Sequence, residues 1–253
     1  MIGIIGGVGP HAGLHLHKSI LDQTDTTCDQ DHLPVLHINQ ASDVPDRTEF
    51  LLGKTRENPA KNLIRQMELL YRSGARVIGI PCNTAHADPI YTDIVNYSRN
   101  HPDLILVNMI DELFKELVRD GIKRTGLLAT LGSYQSQLFE SYAKKYKIEL
   151  VLPDDNTQHL IHDTIYNRQD GLKSTGLLNS RISSQYESIF ETYCKKKISS
   201  VTLGCTEISM VFSSSNFKGC RVFKTIDILA KALIREFYHS QNKNMANLTG
   251  EYE

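Results

Sequence analysis

Residues 2–10 read Ile-Gly-Ile-Ile-Gly-Gly-Val-Gly-Pro. Ile2–Ile5 is an apolar run too short for a helix, and it runs straight into paired glycines. This predicts a buried strand that turns tightly at Gly6-Gly7. Pro10 suits the first turn of a helix reaching about Asp22, where its missing N–H costs little. The same pattern recurs along the chain. Further strands are predicted at Leu33–Ile38, Val77–Ile80, Leu104–Val107, Thr125–Ala129, Ile148–Leu152 and Ser200–Leu203. Between them, apolar residues at helical spacing predict helices at Ala60–Ser73, Asp88–Arg99, Gln135–Tyr146, Gln158–Tyr166, Ser180–Lys196 and Asp227–Tyr238. The polar residues 240–253 are expected to fray. Short apolar strands alternating with helices specify an α/β fold with mainly parallel sheets covered on both faces.

The pattern also restarts. Gly3-Ile4-Ile5 aligns with Gly126-Leu127-Leu128 at an offset of 123 residues, and Cys82 aligns with Cys205 at the same offset. Each half therefore opens with a strand and a glycine turn, then places a cysteine just after a later strand. We expect two similar α/β lobes, each a mainly parallel sheet flanked by helices. The boundaries predicted from sequence are residues 1–100 plus about 210–253 for the first lobe and 101–209 for the second.

Composition narrows the function. The chain has 253 residues, with 28 Lys+Arg against 29 Asp+Glu and a net charge of −1. That balance leaves no electrostatic footprint for nucleic acid or an anionic membrane. No apolar run approaches the roughly 18 residues of a membrane span. Cys28, Cys82, Cys194, Cys205 and Cys220 are odd in number, widely spaced and free of any C-x-x-C, which disfavours zinc knuckles and thioredoxin chemistry and suits a reducing, cytoplasmic setting. The N-terminus lacks the basic and long apolar regions of a signal peptide.

In open α/β sheets, ligands bind beyond the carboxyl ends of strands. Cys82 and Cys205 are both predicted there, followed by Asn83-Thr84-Ala85 and Thr206-Glu207. Polar flanks of this kind can bind a carboxylate or steady a thiolate. A buried cysteine is more often a small hydrophobe, but two at matched strand ends reverse that preference. A phosphatase loop would need Arg six residues after the cysteine, where Asp88 and Val211 stand instead. A papain-like pair of Cys82 with His86 has the reach but no supporting motif. Two thiols facing across a ligand can remove a proton from one face of a carbon and return one to the other.

Gly-Gly-Val-Gly-Pro (6–10), Pro-Asp-Arg-Thr (45–48), Pro-Cys-Asn-Thr-Ala-His (81–86) and Leu-Gly-Cys-Thr-Glu-Ile (203–208) together resemble the aspartate/glutamate racemase family, with the aspartate racemases the nearest branch. The resemblance implies a fold of two pseudosymmetric α/β lobes with the active site in the cleft between them, interconversion of L- and D-aspartate or a related acidic amino acid, without pyridoxal phosphate or any other cofactor, and a homodimer. It implies that Cys82 and Cys205 are the acid/base pair and that Arg47 grips the substrate's side-chain carboxylate. Asn83, Thr84 and Thr206 match positions that hold the α-carboxylate. Thr130 and Ser133 correspond to the second lobe's strand-end turn. Lys173 matches a substrate-facing lysine, a role for which Arg168 competes. Val8 stands where Met is frequent and would shape the pocket, while Gly9 would let backbone approach a small carboxylate.

Other readings carry less. After Gly7-Val8-Gly9 the next glycine is Gly13, one residue too far for a dinucleotide fingerprint. His11, His15 and His17 have no acidic third ligand at motif spacing, so no metal is expected. Cys28, Cys194 and Cys220 have no motif. The rival functions are another cysteine-pair enzyme, such as a hydantoin racemase or maleate isomerase, and a silent binder of small carboxylates.

Overall fold

Strand residues alternate between two apolar environments, and this alternation builds each layer. In the computed structural model, which describes residues 1–212 and 215–249, the first half runs β1 (Ile2–Ile5), α1 (Pro10–Gln23), β2 (Val35–Ile38), α2 (Arg47–Leu51), α3 (Ala60–Arg72), β3 (Val77–Gly79), α4 (Asp88–Arg99), β4 (Ile105–Val107) and α5 (Met109–Arg119). The second half runs β5 (Arg124–Ala129), α6 (Leu131–Gln135), α7 (Leu138–Tyr146), β6 (Glu149–Val151), α8 (Asp155–Tyr166), α9 (Leu172–Thr175), α10 (Ser180–Lys195), β7 (Ser200–Gly204), α11 (Thr206–Val211), β8 (Asn216–Phe217), β9 (Cys220–Lys224) and α12 (Thr225–Thr249). Ile4 packs on one side of its sheet with Leu229 and Leu233, and Ile5 on the other with Leu63 and Met67. Leu127 and Leu128 divide in the same way between Phe114 and Phe139 on one face and Ile161 and Phe190 on the other. This period of two buries both faces of each sheet.

The two sheets share one topology. The first has strand order β2-β1-β3-β4 and the second β6-β5-β7-β9-β8. β1 and β5 are the matching central strands, and all pairings are parallel except β8 with β9. The 123-residue offset thus corresponds to equivalent positions of two α/β units.

Sheet membership moves the lobe boundaries predicted from sequence. Val77 pairs with Ile105 and Gly79 with Val107, so β4 completes the first sheet and does not open the second lobe. Ser200 pairs with Arg221 and Leu203 with Lys224, so residues 220–224 belong to the second sheet and only α12 returns to the first. Charged residues at the edge of β9 and the short polar β8 concealed this hairpin in the sequence. The helix predicted over Gln135–Tyr146 is two helices, reset where Gln137 adopts a left-handed φ of 51°. The terminal helix, expected to end at Tyr238, continues to Thr249, so residues 240–249 are helical; 250–253 lie outside the described residues.

α12 covers the first sheet. Leu233 is fully buried among Ile4, Val77 and Val107, and a Cβ on Gly79 would fall 2.9 Å from its Cδ1. Leu233→Ala should therefore destabilise the protein by about 2–5 kcal/mol, since its site is too well filled to collapse. Urea unfolding should show a lower midpoint, and an unchanged midpoint would mean that α12 does not hold this layer.

Candidate active site

Each lobe delivers its cysteine by the same local route. β3 ends at Gly79, and the chain passes through Ile80-Pro81 to Cys82, which opens a tight turn over Asn83–His86. β7 ends at Gly204, and Cys205 then caps α11. Gly204 is required there, because a Cβ would meet Leu127 Cδ1 and Phe139 Cζ at 2.9 Å. The two thiols line one small cavity together with Arg47, Asn83, Thr84, Thr130, Tyr166, Lys173, Gly204, Thr206 and Glu207. Both cysteines are buried, at 6% and 5% exposure. The cavity is closed down to about 10 Å³, room for about one water. A second cavity of about 280 Å³ adjoins it through Arg47, Lys173 and Glu207 and is lined on its outer side by Gly9, His11, Val44 and Asp46.

The two sulfurs sit in unlike environments. Cys82 Sγ lies 3.2 Å from Thr84 Oγ1. Burial works against the charge of the nearby Arg47 guanidinium, but the Cys82 sulfur and the Asp46 carboxylate outweigh it and hold Arg47 firmly protonated. Cys205 instead donates to Glu207 Oε2 at 3.0 Å. Burial, reinforced by the Glu207 carboxylate, pushes the Cys205 thiol well above the ordinary thiol range. Glu207 is only 4% exposed. Burial opposes its charge, yet Lys173 at 2.5 Å and the Cys205 hydrogen bond pull it down to about 2. Thr206 Oγ1 also donates to it at 3.1 Å. The carboxylate leaves no room at Gly9, whose φ is 111° and whose Cβ would fall 2.7 Å from Glu207 Oε1.

Arg47 stands in the first turn of α2, whose N-cap Asp46 accepts from Glu49 N–H at 2.8 Å. Its Nη1 donates to the Pro45 carbonyl at 3.1 Å, but its buried Nε has no partner among the described residues. Asn83 donates to Thr225 Oγ1 at 3.2 Å and leaves Oδ1 unpaired. Buried polar atoms are seldom left so, and a guanidinium that lines a cavity and keeps a spare donor is suited to a carboxylate. Contacts from both lobes meet here. Thr48 Oγ1 donates to Thr130 Oγ1 at 3.4 Å, and the Tyr166 hydroxyl donates to Asp46 Oδ2 at 3.1 Å.

Of the residues singled out from sequence, Arg47, Cys82, Asn83, Thr84, Thr130, Lys173, Cys205 and Thr206 share this cavity. Gly9 lines the adjoining one. Val8 packs in the core beside Ile5 and Val44 and does not line either cavity. Ser133 is buried behind the site, 3.2 Å from Thr130 Oγ. Arg168 is exposed, so Lys173 is the cation of that stretch in the cavity. Sequence reading gave no role to Tyr166 and took Glu207 only as part of the polar flank of Cys205. Glu207 had a visible signal, an acidic residue two positions beyond a strand-end cysteine. Tyr166 had none, because its partner Asp46 is 120 residues away.

The papain-like pairing fails on geometry. Met109 N–H donates to His86 Nε2 at 3.3 Å, so the proton is on Nδ1, which donates to the Cys82 carbonyl at 2.9 Å. Both ring nitrogens are committed to backbone, and His86 serves to lock the cysteine turn against α5. No cluster of three His, Cys, Asp or Glu able to hold a metal occurs among the described residues.

The family model for Asp/Glu/hydantoin racemase matches residues 5–233. The chain belongs to this family. Among solved structures it is similar to the aspartate racemase of Picrophilus torridus, with 26% identity over 93% of each chain and a TM-score of 0.73. It also resembles an aspartate racemase homologue from Pyrococcus horikoshii, with 22% identity over 92% of this chain and 97% of that one and a TM-score of 0.72. The fold extends to the glutamate racemase of Francisella tularensis, with 16% identity over 95% and 81% and a TM-score of 0.65. As in other members of this racemase family, the two sheets are mostly parallel and flanked by helices. No described helix is long and apolar enough to cross a membrane.

His86 gives this racemase an acid-sensitive limb. Burial pushes its imidazole from 6.5 down to about 4. The unfolded chain therefore binds more protons between those values, and stability is complete above about 6.5. It should fall as pH drops towards 4, by roughly 3 kcal/mol from this residue. His86→Asn can keep the donor to the Cys82 carbonyl without titrating, so its denaturation midpoint should depend less on pH over that window. Parallel slopes for the two proteins would remove His86 as the cause.

Proposed function

We propose that the protein racemises an acidic amino acid, aspartate foremost, by two-base proton transfer between Cys82 and Cys205, without a cofactor. The observation that carries this is the meeting, in one closed cavity, of two thiols from equivalent strand ends with opposite electrostatic partners. Cys205, beside Glu207, is held as a thiol and is the proton donor of the resting state. Cys82, beside Arg47, is the proton acceptor. The Cys82 thiolate takes the α-proton from one face, and the Cys205 thiol gives its proton to the other. The pair ends with its protonation states exchanged, ready for the opposite enantiomer.

The α-proton is a very weak acid, so the carbanion must be stabilised as it forms. The side chains and N–H groups of Asn83, Thr84 and Thr206 neutralise the α-carboxylate in this reading. A closed cavity strengthens each of those contacts by excluding water. Arg47 favours an acidic substrate over a neutral hydantoin. Lys173 is engaged by Glu207, whereas Arg47 keeps an unpaired buried Nε and lines the cavity. A second carboxylate on the substrate gives that guanidinium an anionic partner, and a hydantoin does not.

Purified protein with reduced thiols should racemise aspartate or glutamate and incorporate solvent deuterium at Cα in D₂O. Cys82→Ser and Cys205→Ser should each nearly abolish racemisation, because a serine hydroxyl is far too weak an acid to replace the thiol. Each variant should retain deuterium exchange with one enantiomer only, and the two preferences should be opposite. Identical preferences, or racemisation surviving in both, would sink the two-base mechanism. Absence of exchange on every acidic amino acid would sink the racemase reading for this chain.

Arg47→Ala tests the substrate class separately. Losing a charge-assisted bidentate contact should lower kcat/KM for aspartate by about 2–4 kcal/mol, roughly 30- to 1000-fold. The loss for a neutral amino acid should be much smaller. Equal losses would show that Arg47 holds structure and not the side-chain carboxylate.

A further inference from the structure

Cys194 and Cys220 leave the sequence without a role, yet the fold brings them together. Cys194 lies in the last turn of α10 and is exposed, whereas Cys220 is the first residue of β9 and is buried. Their sulfurs are 3.3 Å apart. Cys194 Sγ also contacts the Lys218 carbonyl at 3.2 Å, and Cys220 Sγ the Ile198 carbonyl at 3.2 Å. The turn presenting Cys220 is tight, with positive φ at Lys218 and Gly219, and Gly219 N–H donates to Asn216 Oδ1 at 3.2 Å. Lys218, whose carbonyl the Cys194 sulfur touches, bridges Glu191 through its ammonium at 2.7 Å. Packing as a small hydrophobe accounts for a buried cysteine. It does not account for an exposed thiol held against a buried one.

We propose that Cys194 and Cys220 form an oxidation site, a dithiol that a peroxide converts to an intramolecular disulfide. The Cys194 thiolate attacks hydrogen peroxide, forming an S–O bond as the O–O bond breaks; the products are Cys194 sulfenic acid and hydroxide. The Cys220 sulfur then attacks the sulfenic sulfur, the S–S bond forms, and the sulfenic oxygen leaves as water with the Cys220 proton. Two thiols are oxidised by two electrons, and one peroxide is reduced to two waters. Exposure sets the order. Cys194 meets the oxidant, and Cys220 resolves it. Burial and the neighbouring Cys194 sulfur push Cys220 up to about 12.

The site lies at the opposite end of the sheet from the cavity. Cys220 starts β9, which pairs Arg221 with Ser200 at the start of β7, while Cys205 follows the end of β7. About six residues of strand, roughly 20 Å, separate the two thiol pairs. The Cys194–Cys220 link therefore does not involve Cys82 or Cys205, and the inference does not depend on what the cavity catalyses.

The test uses the reduced full-length protein treated with hydrogen peroxide, blocked with an alkylating agent and digested without reductant. Mass spectrometry should find a Cys194–Cys220 cross-linked peptide, reversible by dithiothreitol, as the free thiols fall by two from the five present at the start. The link should form before the isolated, exposed Cys28 is modified. In Cys220→Ser, Cys194 should persist as a dimedone-reactive sulfenic acid, about tenfold longer than in the unaltered protein. In Cys194→Ser, Cys220 should stay reduced. The proposal is overturned if Cys194 proceeds to the sulfinic acid while Cys220 remains a thiol. It is equally overturned if Cys28 and Cys194 oxidise at one rate with no link to Cys220.

Discussion

A carboxylate sealed inside the protein organises everything around it. Glu207 is almost wholly buried and remains ionised, which is tolerable only with an opposite charge and several donors in contact. Lys173, the Cys205 thiol and Thr206 supply them. Each imposes a requirement on the chain. Lys173 must be brought in by the short α9, Cys205 must stand two residues before the carboxylate, and Gly9 must lack a side chain so that the first lobe can close over Oε1. One ionised group thereby ties the glycine turn after β1 to the end of β7 and to the segment after α8, three regions with no proximity in sequence.

The same group breaks the symmetry of the fold. The two sheets repeat one topology, and the two cysteines occupy equivalent strand ends. Geometry alone would make them interchangeable. Their partners do not: a hydroxyl and a guanidinium at Cys82, a carboxylate at Cys205. Duplicated backbone positions the sulfurs, and unduplicated side chains set what each sulfur can do with a proton.

Much of this was legible from local pattern. β1, β3 and β7 announce themselves as short apolar runs ending at glycine or proline, β5 as one ending just before Thr130, and the 123-residue repeat already implies two equivalent units. The glycine turn, the strand-end cysteines and Arg47 are read from residues close together in sequence. What escaped depends on distance or on weak local signals. β9 carries Arg221 and Lys224 and gains its place by pairing with β7. β4 looks like the start of the second repeat until its register with β3 is known. Tyr166 ends an ordinary helix, and only the approach of the other lobe gives its hydroxyl a partner in Asp46. Cys194 and Cys220 have no motif because their relation is one of packing between a helix end and a strand start. In each case a contact across the fold decided the outcome, and propensity did not.

The asymmetry at the thiols has a consequence for the reaction proposed above. Enantiomers have equal free energy, so the ratio of kcat/KM values for the two directions must be one whatever the protein does. Yet the Glu207 carboxylate and burial favour Cys205 as a thiol in the empty site, so the two protonation states of the free enzyme are not equally populated. In the proposed two-base mechanism each enantiomer is turned over by only one of them. The enantiomer served by the scarcer state pays for its selection in a weaker apparent affinity, and its turnover must be faster in compensation. Lys173 works against this bias, since its charge favours the Cys205 thiolate. A substrate carboxylate competing with Glu207 for that ammonium would change how much of the bias remains at the moment of proton transfer. The short ion pair that stabilises the closed site is thus also the contact through which substrate charge can reach the second thiol.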